Sequence, residues 1–256
     1  MDGVHVALAL LGGGAVGFSL GLIGGGGSIL ATPLLLYVVG VPEPHVAIGT
    51  GALAVSVNAF ANLVTHARSG NVRWRAAAIF ASVGVLGASI GASLGKALDG
   101  HRLLFLFAIL MIAVGALMLR PRRARAGGAP PPNLSPALVA RLAATGLAVG
   151  GLSGFFGIGG GFLIVPGLVL ATGMPMINAI GSSLLAVGSF GLTTAASYAL
   201  SGLVAWTTAG VFIAGGVLGG FGGLRLAMHL SVQRDTLSRV FAGVIFIVAG
   251  YMLYRG

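Results

Sequence analysis

Two clusters of adjacent glycines are the residues of this chain best suited to bind a solute. Gly24–Ser28 reads Gly-Gly-Gly-Gly-Ser, Gly157–Gly161 reads Gly-Ile-Gly-Gly-Gly, and each stands before a short apolar segment. Glycine permits positive φ and lets a solute approach backbone amides closely. Free N–H groups and the dipole at a helix N-terminus favour an anion. We therefore predict that an oxyanion binds the amides of Gly25, Gly26, Gly27, Ser28, Gly159, Gly160 and Gly161.

Polar side chains follow each short segment. Asn58 and Asn62 lie four residues apart, on one face of a helix. Two carboxamides inside a membrane need a partner or water, so they line a polar path or bond between helices, and the spacing favours neither. Serine and threonine often bond to their own helix backbone, which is the alternative for each of them. We predict that the anion's lost hydration is replaced by Thr50, Asn58, Asn62, Ser182 and Ser183.

The titratable residues argue against enzymatic chemistry. The only carboxylates are Asp2, Glu43, Asp99 and Asp235, all at segment ends or in loops, and there is no cysteine. No acid is therefore available inside the membrane for a proton relay, a catalytic dyad or a metal site. The five histidines share no metal-ligand spacing, and His45 and His66 are expected at the membrane boundary. We predict neither an enzyme nor a cofactor or metal.

The composition requires a membrane. Charged residues make up 7% of the 256 residues, against about 25% in a soluble domain. Hydrophobic residues make up 57%, and the mean hydropathy is +1.04. This apolar area exceeds what one water-soluble core buries, and the apolar runs are long enough to cross a bilayer. The net charge of +10 falls in short gaps between apolar segments, so it indicates membrane topology and not nucleic acid.

An internal repeat divides the chain. Gly17, Gly21 and Gly24 recur 133 residues later as Gly150, Gly154 and Gly157; after a one-residue slip, 47–50 (Ala-Ile-Gly-Thr) matches 179–182 (Ala-Ile-Gly-Ser). Residues 1–119 form the first repeat and 142–256 the second. The joining segment, 120–141, is basic and rich in proline and glycine, so we predict an extended cytoplasmic linker.

Both halves contain the same pattern of segments. Ile29–Val39 and Phe162–Thr172 span only 11 residues, about 16 Å as helix and roughly half the ~30 Å hydrocarbon thickness. The remaining segments are long enough to cross. We predict an all-α integral membrane protein in which each repeat has three full transmembrane helices plus a glycine-rich broken helix or hairpin, giving 8 to 10 membrane segments.

The basic residues predict the orientation, because cytoplasmic loops carry an excess of lysine and arginine. With the linker inside and both termini outside, 11 arginines are cytoplasmic: Arg68, Arg73, Arg75, Arg120, Arg122, Arg123, Arg125, Arg141, Arg225, Arg234 and Arg239. Only Lys96, Arg102 and Arg255 are then external. An odd number of crossings per half turns the second repeat upside down. We predict an inverted repeat, as in many secondary transporters.

The repeated motifs resemble a known family. Gly21–Ser28 with Pro33, its second copy Gly154–Gly161 with Pro166, and the two Ala-Ile-Gly-Thr/Ser turns are similar to those of the TauE/SafE permeases. The resemblance covers essentially the whole chain. It implies a permease for sulfite, sulfonates or related organosulfur anions in the bacterial inner membrane, but it supplies no set of substrate contacts.

Taken together, these features predict a secondary transporter that exports a small anion, most simply sulfite or a related oxyanion, by alternating access. An anion-selective channel, an uptake permease for a sulfonate or carboxylate, and a non-transporting scaffold remain alternatives. The expected partners are the anion and the lipid bilayer, without nucleic acid, and a homodimer is possible.

Overall fold

The computed structural model describes residues 2–119, 135–158, 161–229 and 234–255. Within these ranges the regular structure is helical, with no strand. The helices are α1 (Gly3–Ile23), α2 (Ala31–Pro33), α3 (Pro44–Arg68), α4 (Trp74–Ala97), α5 (Gly100–Leu119), α6 (Pro136–Phe156), α7 (Gly161–Thr172), α8 (Met176–Ala199), α9 (Trp206–His229) and α10 (Arg234–Arg255). A 3₁₀ helix, Gly24–Leu30, precedes α2, and a π-helical turn, Leu34–Val38, follows it.

Long apolar helices confirm an integral membrane protein. Among the described residues, five helices are long and apolar enough to cross a bilayer: Gly3–Leu22, Pro44–Arg68, Trp74–Ala97, Pro136–Phe156 and Met176–Ala199. Large apolar side chains also cover the outer surface; Leu170 is 82% exposed and Leu218 72%. In water such a surface would be unfavourable, whereas in hydrocarbon it is the expected exterior.

The first short segment folds back along α1 as a hairpin. Gly27 lies so close to Ser19 and Leu20 that a Cβ on Gly27 would overlap the Leu20 backbone nitrogen. Further along, Leu34 lies beside Gly12, and Gly40 lies beside His5. The second arm of the hairpin therefore runs antiparallel to α1. Whereas the sequence suggested an open glycine turn, residues 24–30 form a tight 3₁₀ helix, which glycine permits because it adds no side chain between the two arms.

The second short segment forms an equivalent hairpin with a different turn. Helix α6 ends at Phe156, and the next residue, Gly157, has a left-handed φ of 66°, which favours glycine. Its amide, together with that of Ile158, donates to carbonyls of the last turn of α6. Helix α7 then runs back along α6, placing Gly167 beside Val149. The prediction of short helices after both glycine clusters is confirmed within the described residues.

Helices α3 and α8 form the centre of the molecule and run antiparallel. Ser56 donates a 2.7 Å hydrogen bond to the Gly188 carbonyl, Gly188 abuts the Phe60 ring, and Gly191 abuts Ala52. Both helices are largely buried, with 14 buried residues in each. This central pair therefore joins the first half of the chain to the second along its whole length.

Glycines allow the outer helices to approach at backbone distance. A Cβ on Gly17 of α1 would overlap the Gly216 carbonyl of α9, and a Cβ on Gly150 of α6 would overlap the Gly84 carbonyl of α4. Such contacts replace bulky side chains with direct packing of one backbone on another, which is how small residues join helices in membranes. The first helix of each half thus packs on the fourth helix of the other half.

The start of α6 shortens the predicted linker. Pro136 is the first residue of this helix, and the Ser135 hydroxyl caps it by accepting from the Leu138 amide at 3.3 Å. Proline at the first helical position needs no hydrogen bond there, so the sequence Ser-Pro starts a helix and does not extend the linker. Residues 136–141, assigned to the linker from composition, are therefore helical, while 120–134 lie outside the described residues.

Candidate functional site

The two short segments that follow the glycine clusters contact each other in the interior. The 3₁₀ helix Gly24–Leu30 contacts α7, and Ser28 and Ile29 within it are fully buried. Gly27 is buried against the turn of α1 that contains Ser19 and Leu20. Of the predicted anion-binding residues, Gly25, Gly26, Gly27 and Ser28 lie in this 3₁₀ helix, and Gly161 begins α7. Gly159 and Gly160 lie outside the described residues.

Thr50 and Ser182 form equivalent bonds between the two halves. The Thr50 hydroxyl of α3 accepts from the Ala205 amide at 2.9 Å, just before α9 begins. The Ser182 hydroxyl of α8 accepts from the Arg73 amide at 2.8 Å, just before α4 begins. Each hydroxyl thus satisfies an amide at a helix start that has no partner within that helix. These two predicted ligands hold helices together, and each retains its own proton for one further bond.

The Thr50 and Ser182 bonds predict a measurable loss of stability. Thr50→Val and Ser182→Ala each remove one interhelical hydrogen bond, so each is expected to lower the free energy of unfolding by about 1 kcal/mol. Unfolding of purified protein by sodium dodecyl sulfate, followed by tryptophan fluorescence, measures this. Thr193→Val is the control, because the Thr193 hydroxyl donates only to the Ser189 carbonyl of its own helix. A loss as large in the control would contradict a specific role for the interhelical bonds.

Asn58 is the most unusual polar side chain of the predicted set. It is fully buried, and neither atom of its carboxamide has a hydrogen-bond partner among the described residues. The amide faces Gly216 of α9 so closely that a Cβ there would overlap it. A buried carboxamide without a partner costs about 1–3 kcal/mol, so its retention needs a compensating role. Asn58 is thus available to bind something that the helices do not supply.

Asn62 and Ser183 are partly committed to their own helices. The Asn62 amide donates to the Asn58 carbonyl at 2.8 Å, while its side chain also faces Gly220. The Ser183 hydroxyl donates to the Ile180 carbonyl at 2.7 Å. Space beside Asn62, between α3 and α9, amounts to about 10 Å³. That is room for at most a single water.

A buried threonine was missing from the predicted site. Thr32 of α2 is 1% exposed, its hydroxyl has no partner among the described residues, and it lies beside Gly51 of α3. The signal was present in the sequence, since Thr32 is the one hydroxyl between the first glycine cluster and Pro33. Ser153 of α6 and Thr194 of α8 are also fully buried and unpartnered. The described helices supply no hydrogen-bond partner for either hydroxyl.

The two histidines expected at the membrane boundary lie in different surroundings. His66, expected at a surface boundary, is 4% exposed, and neither ring nitrogen has a partner in the part of the chain described. His45 lies in the first turn of α3, where its Nε2 is 3.2 Å from the Leu98 carbonyl. Among the described residues, no group of three histidine, cysteine, aspartate or glutamate side chains is arranged to hold a metal ion.

Sequence comparisons place these features in a known group of proteins. The family model for the sulfite exporter TauE/SafE matches residues 9–252. A probable membrane transporter protein of Xylella fastidiosa (strain Temecula1) is 58% identical over 95% of this chain and 93% of its own. The probable membrane transporter protein YunE of Bacillus subtilis is 28% identical over 99% and 97%, and one from Haemophilus influenzae is 32% identical over 77% and 75%. No solved structure matches significantly.

Proposed function

Because the chain belongs to the TauE/SafE family of membrane permeases, we propose that it exports a small anion, sulfite or a related organosulfur oxyanion, by alternating access. The observation that carries this proposal is the unpartnered, fully buried Asn58 carboxamide, which faces Gly216 of α9. Gly216 in turn packs on Gly17 of α1, and Gly27 packs on Ser19 and Leu20 of the same helix. The contacts of Gly216 and Gly27 on α1 therefore lie within about one helical turn of each other along its axis.

The chemistry at this point favours an anion. The Asn58 carboxamide and the Thr32 hydroxyl are buried hydrogen-bond donors without a partner among the described residues, and the N-terminus of the 12-residue helix α7, at Gly161, adds the positive end of a helix dipole. All four carboxylates lie outside the long helices' interiors, so none neutralises a bound cation there. Thr50, Asn62, Ser182 and Ser183 contribute further polar atoms around the path, and Gly159–Gly161 supplies the matching amides of the second half.

Several contacts support an inverted repeat. The Gly17–Gly216 and Gly150–Gly84 packings, like the two hydroxyl-to-amide bonds, join positions related by an offset of 132 or 133 residues. The equivalent helices α3 and α8 run antiparallel. Exposed Trp74 and Trp206 begin α4 and α9 at opposite ends of this central pair, as interfacial tryptophans at two membrane surfaces would. We infer that the hairpins enter from opposite sides of the membrane.

The close packing of α3 on α9 supports alternating access over an open channel. Asn58 contacts Gly216 and Asn62 contacts Gly220, so we infer that α3 and α9 separate when an anion passes between them. A carrier must close one side while the other opens, and packed helices move between discrete arrangements. An inside-negative potential contributes about 2.3 kcal/mol per charge per 100 mV, which is enough to drive anions outward without a membrane carboxylate.

Proteoliposomes provide the test of this function. Vesicles loaded with sulfite are expected to release it faster with the protein than without, and faster still when a potassium gradient with valinomycin makes the interior negative. The rate of sulfite release is compared with the rates for sulfate, sulfoacetate, taurine and sodium ions. Single-channel current steps in planar bilayers would instead indicate a channel, and faster release of taurine or sodium than of every anion would contradict the proposal.

A further inference from the structure

A lateral groove between α4 and α8 has no role in the transport proposal. Its volume is about 480 Å³, and it is open to the outer surface. The walls carry four hydroxyl side chains and two leucines: Ser89, Ser93, Thr193, Ser197, Leu192 and Leu200. Leu192 is 50% exposed and Leu200 92%, so these leucines form the rim towards the bilayer.

Two of the four hydroxyls in the groove are uncommitted. The hydroxyls of Ser93 and Thr193 donate to carbonyls of their own helices, at 3.1 and 2.8 Å. Those of Ser89 and Ser197 make no hydrogen bond with the described residues. In hydrocarbon a serine ordinarily bonds back to its own helix, so free hydroxyls facing a groove indicate that the groove receives polar atoms.

The ammonium group of Lys96 lies at one end of the groove. The Lys96 ammonium donates to the Ser197 carbonyl at 2.8 Å and to the Ser201 hydroxyl at 3.0 Å, and it lies 5.8 Å from the centre of the Tyr198 ring. An ammonium has three protons, so one stays available. The carboxylate of nearby Asp99 accepts from the amides of His101 and Arg102, at the start of α5. Lys96 therefore presents a positive charge at the end of α4.

The corresponding space in the other half is filled. Between α3 and α9, at positions offset by 132 residues, Phe221 stands where Ser89 does and Ala61 where Thr193 does. The volume there is about 10 Å³, against about 480 Å³ in the groove. Substituting a serine for a phenylalanine thus opens one side only. Since the backbone packing is alike in both halves, the open groove is a property of its side chains.

We propose that the α4–α8 groove binds one anionic phospholipid. The phosphate lies at Lys96, the Ser197 hydroxyl donates to an ester carbonyl of the glycerol backbone, and an acyl chain runs along Leu192 past Ser89. Ser89 and Lys96 are seven residues apart on α4, about 10 Å along the helix, so one lipid reaches both. On the outer face of α4, Leu86, Ile90 and Leu94 are more than half exposed, which keeps the groove in contact with bilayer lipid. Basic sites between membrane helices suit anionic headgroups.

Native mass spectrometry of the purified full chain tests this assignment. After delipidation, the protein is mixed with equal amounts of phosphatidylglycerol and phosphatidylcholine, and bound lipid is counted. We expect one tightly held phosphatidylglycerol, about fivefold preferred over phosphatidylcholine, as one basic contact near the membrane surface allows. Lys96→Met is expected to remove the preference. Ser89→Phe, which copies Phe221, is expected to remove the tight lipid altogether.

One control variant and two outcomes that would overturn the proposal complete the test. Ser82→Phe places the same side chain two turns away on α4, at an exposed serine whose hydroxyl donates to its own helix, and should leave binding unchanged. Equal retention of both lipids by the unmodified protein would overturn the proposal. So would loss of phosphatidylglycerol on adding millimolar sulfite, because the groove would then be an anion vestibule. Thermal melting of each variant separates lost binding from lost folding.

Discussion

Asn58→Leu is expected to reduce sulfite flux at least tenfold while the protein stays folded and becomes slightly more stable. The leucine keeps the volume of the side chain but removes two polar atoms that have no partner among the described residues. Replacing an unsatisfied buried group by an apolar one of similar shape is neutral or stabilising. If Asn58 binds the anion, its loss leaves the anion without a donor in a water-poor site, and one such hydrogen bond to a charge is worth about 1.5–3 kcal/mol.

The measurement pairs flux in proteoliposomes with unfolding of the same preparation. Ser56→Ala is the matched control, because Ser56 is equally buried in α3 but its hydroxyl is bonded to the Gly188 carbonyl at 2.7 Å. This control is expected to behave in the opposite way, losing about 1 kcal/mol of stability and keeping its flux. Normal flux in Asn58→Leu would remove Asn58 from the site, and lower stability would indicate that its amide has a structural partner.

Hydrophobic length and repeated glycine spacing were sufficient to predict the membrane fold and the short helices. An 11-residue apolar run cannot cross hydrocarbon as a helix, so Ile29–Val39 and Phe162–Thr172 were distinguishable from the long helices without coordinates. The observed helices begin one residue earlier in the second half, at Gly161, and five residues earlier in the first, at Gly24. Helix boundaries depend on capping contacts such as that of Ser135, which a period in the sequence does not encode.

The roles of individual hydroxyls could not be predicted, because they depend on which helix lies opposite. Thr50 and Ser182 have the composition of ligands, yet they bond to amides 155 and 109 residues away. Asn58 and Asn62 share one helix face and nevertheless differ, since Asn62 donates to its own helix and Asn58 does not. The groove between α4 and α8 is open because α4 carries a serine where α9 carries Phe221. The effect of this difference is visible only after the helices of the two halves are packed.

Adjacent glycines are expected to differ sharply when each is changed to alanine. A Cβ on Gly150 of α6 would overlap the Gly84 carbonyl of α4, which is backbone and cannot rotate away. A Cβ on the next residue, Gly151, would lie 3.8 Å from the Gly87 carbonyl, an ordinary contact. Overpacking of this kind costs typically 1–3 kcal/mol, so Gly150→Ala should lower the free energy of unfolding by at least that amount. Gly151→Ala should be neutral or slightly stabilising, because alanine favours helix over glycine.

A comparable pair of glycine-to-alanine substitutions in the first half tests whether the two halves pack alike. Gly17→Ala would meet the Gly216 carbonyl as Gly150→Ala meets that of Gly84, whereas Gly14→Ala would lie 3.6 Å from the Gly215 carbonyl. Unfolding in sodium dodecyl sulfate is therefore expected to rank Gly17→Ala with Gly150→Ala, and Gly14→Ala with Gly151→Ala. Similar losses in all four variants would mean that the helices separate to accept a methyl group. If only one half is sensitive, the equivalent packings differ in strength, and the half that tolerates the methyl group is the one whose helices part more readily during transport.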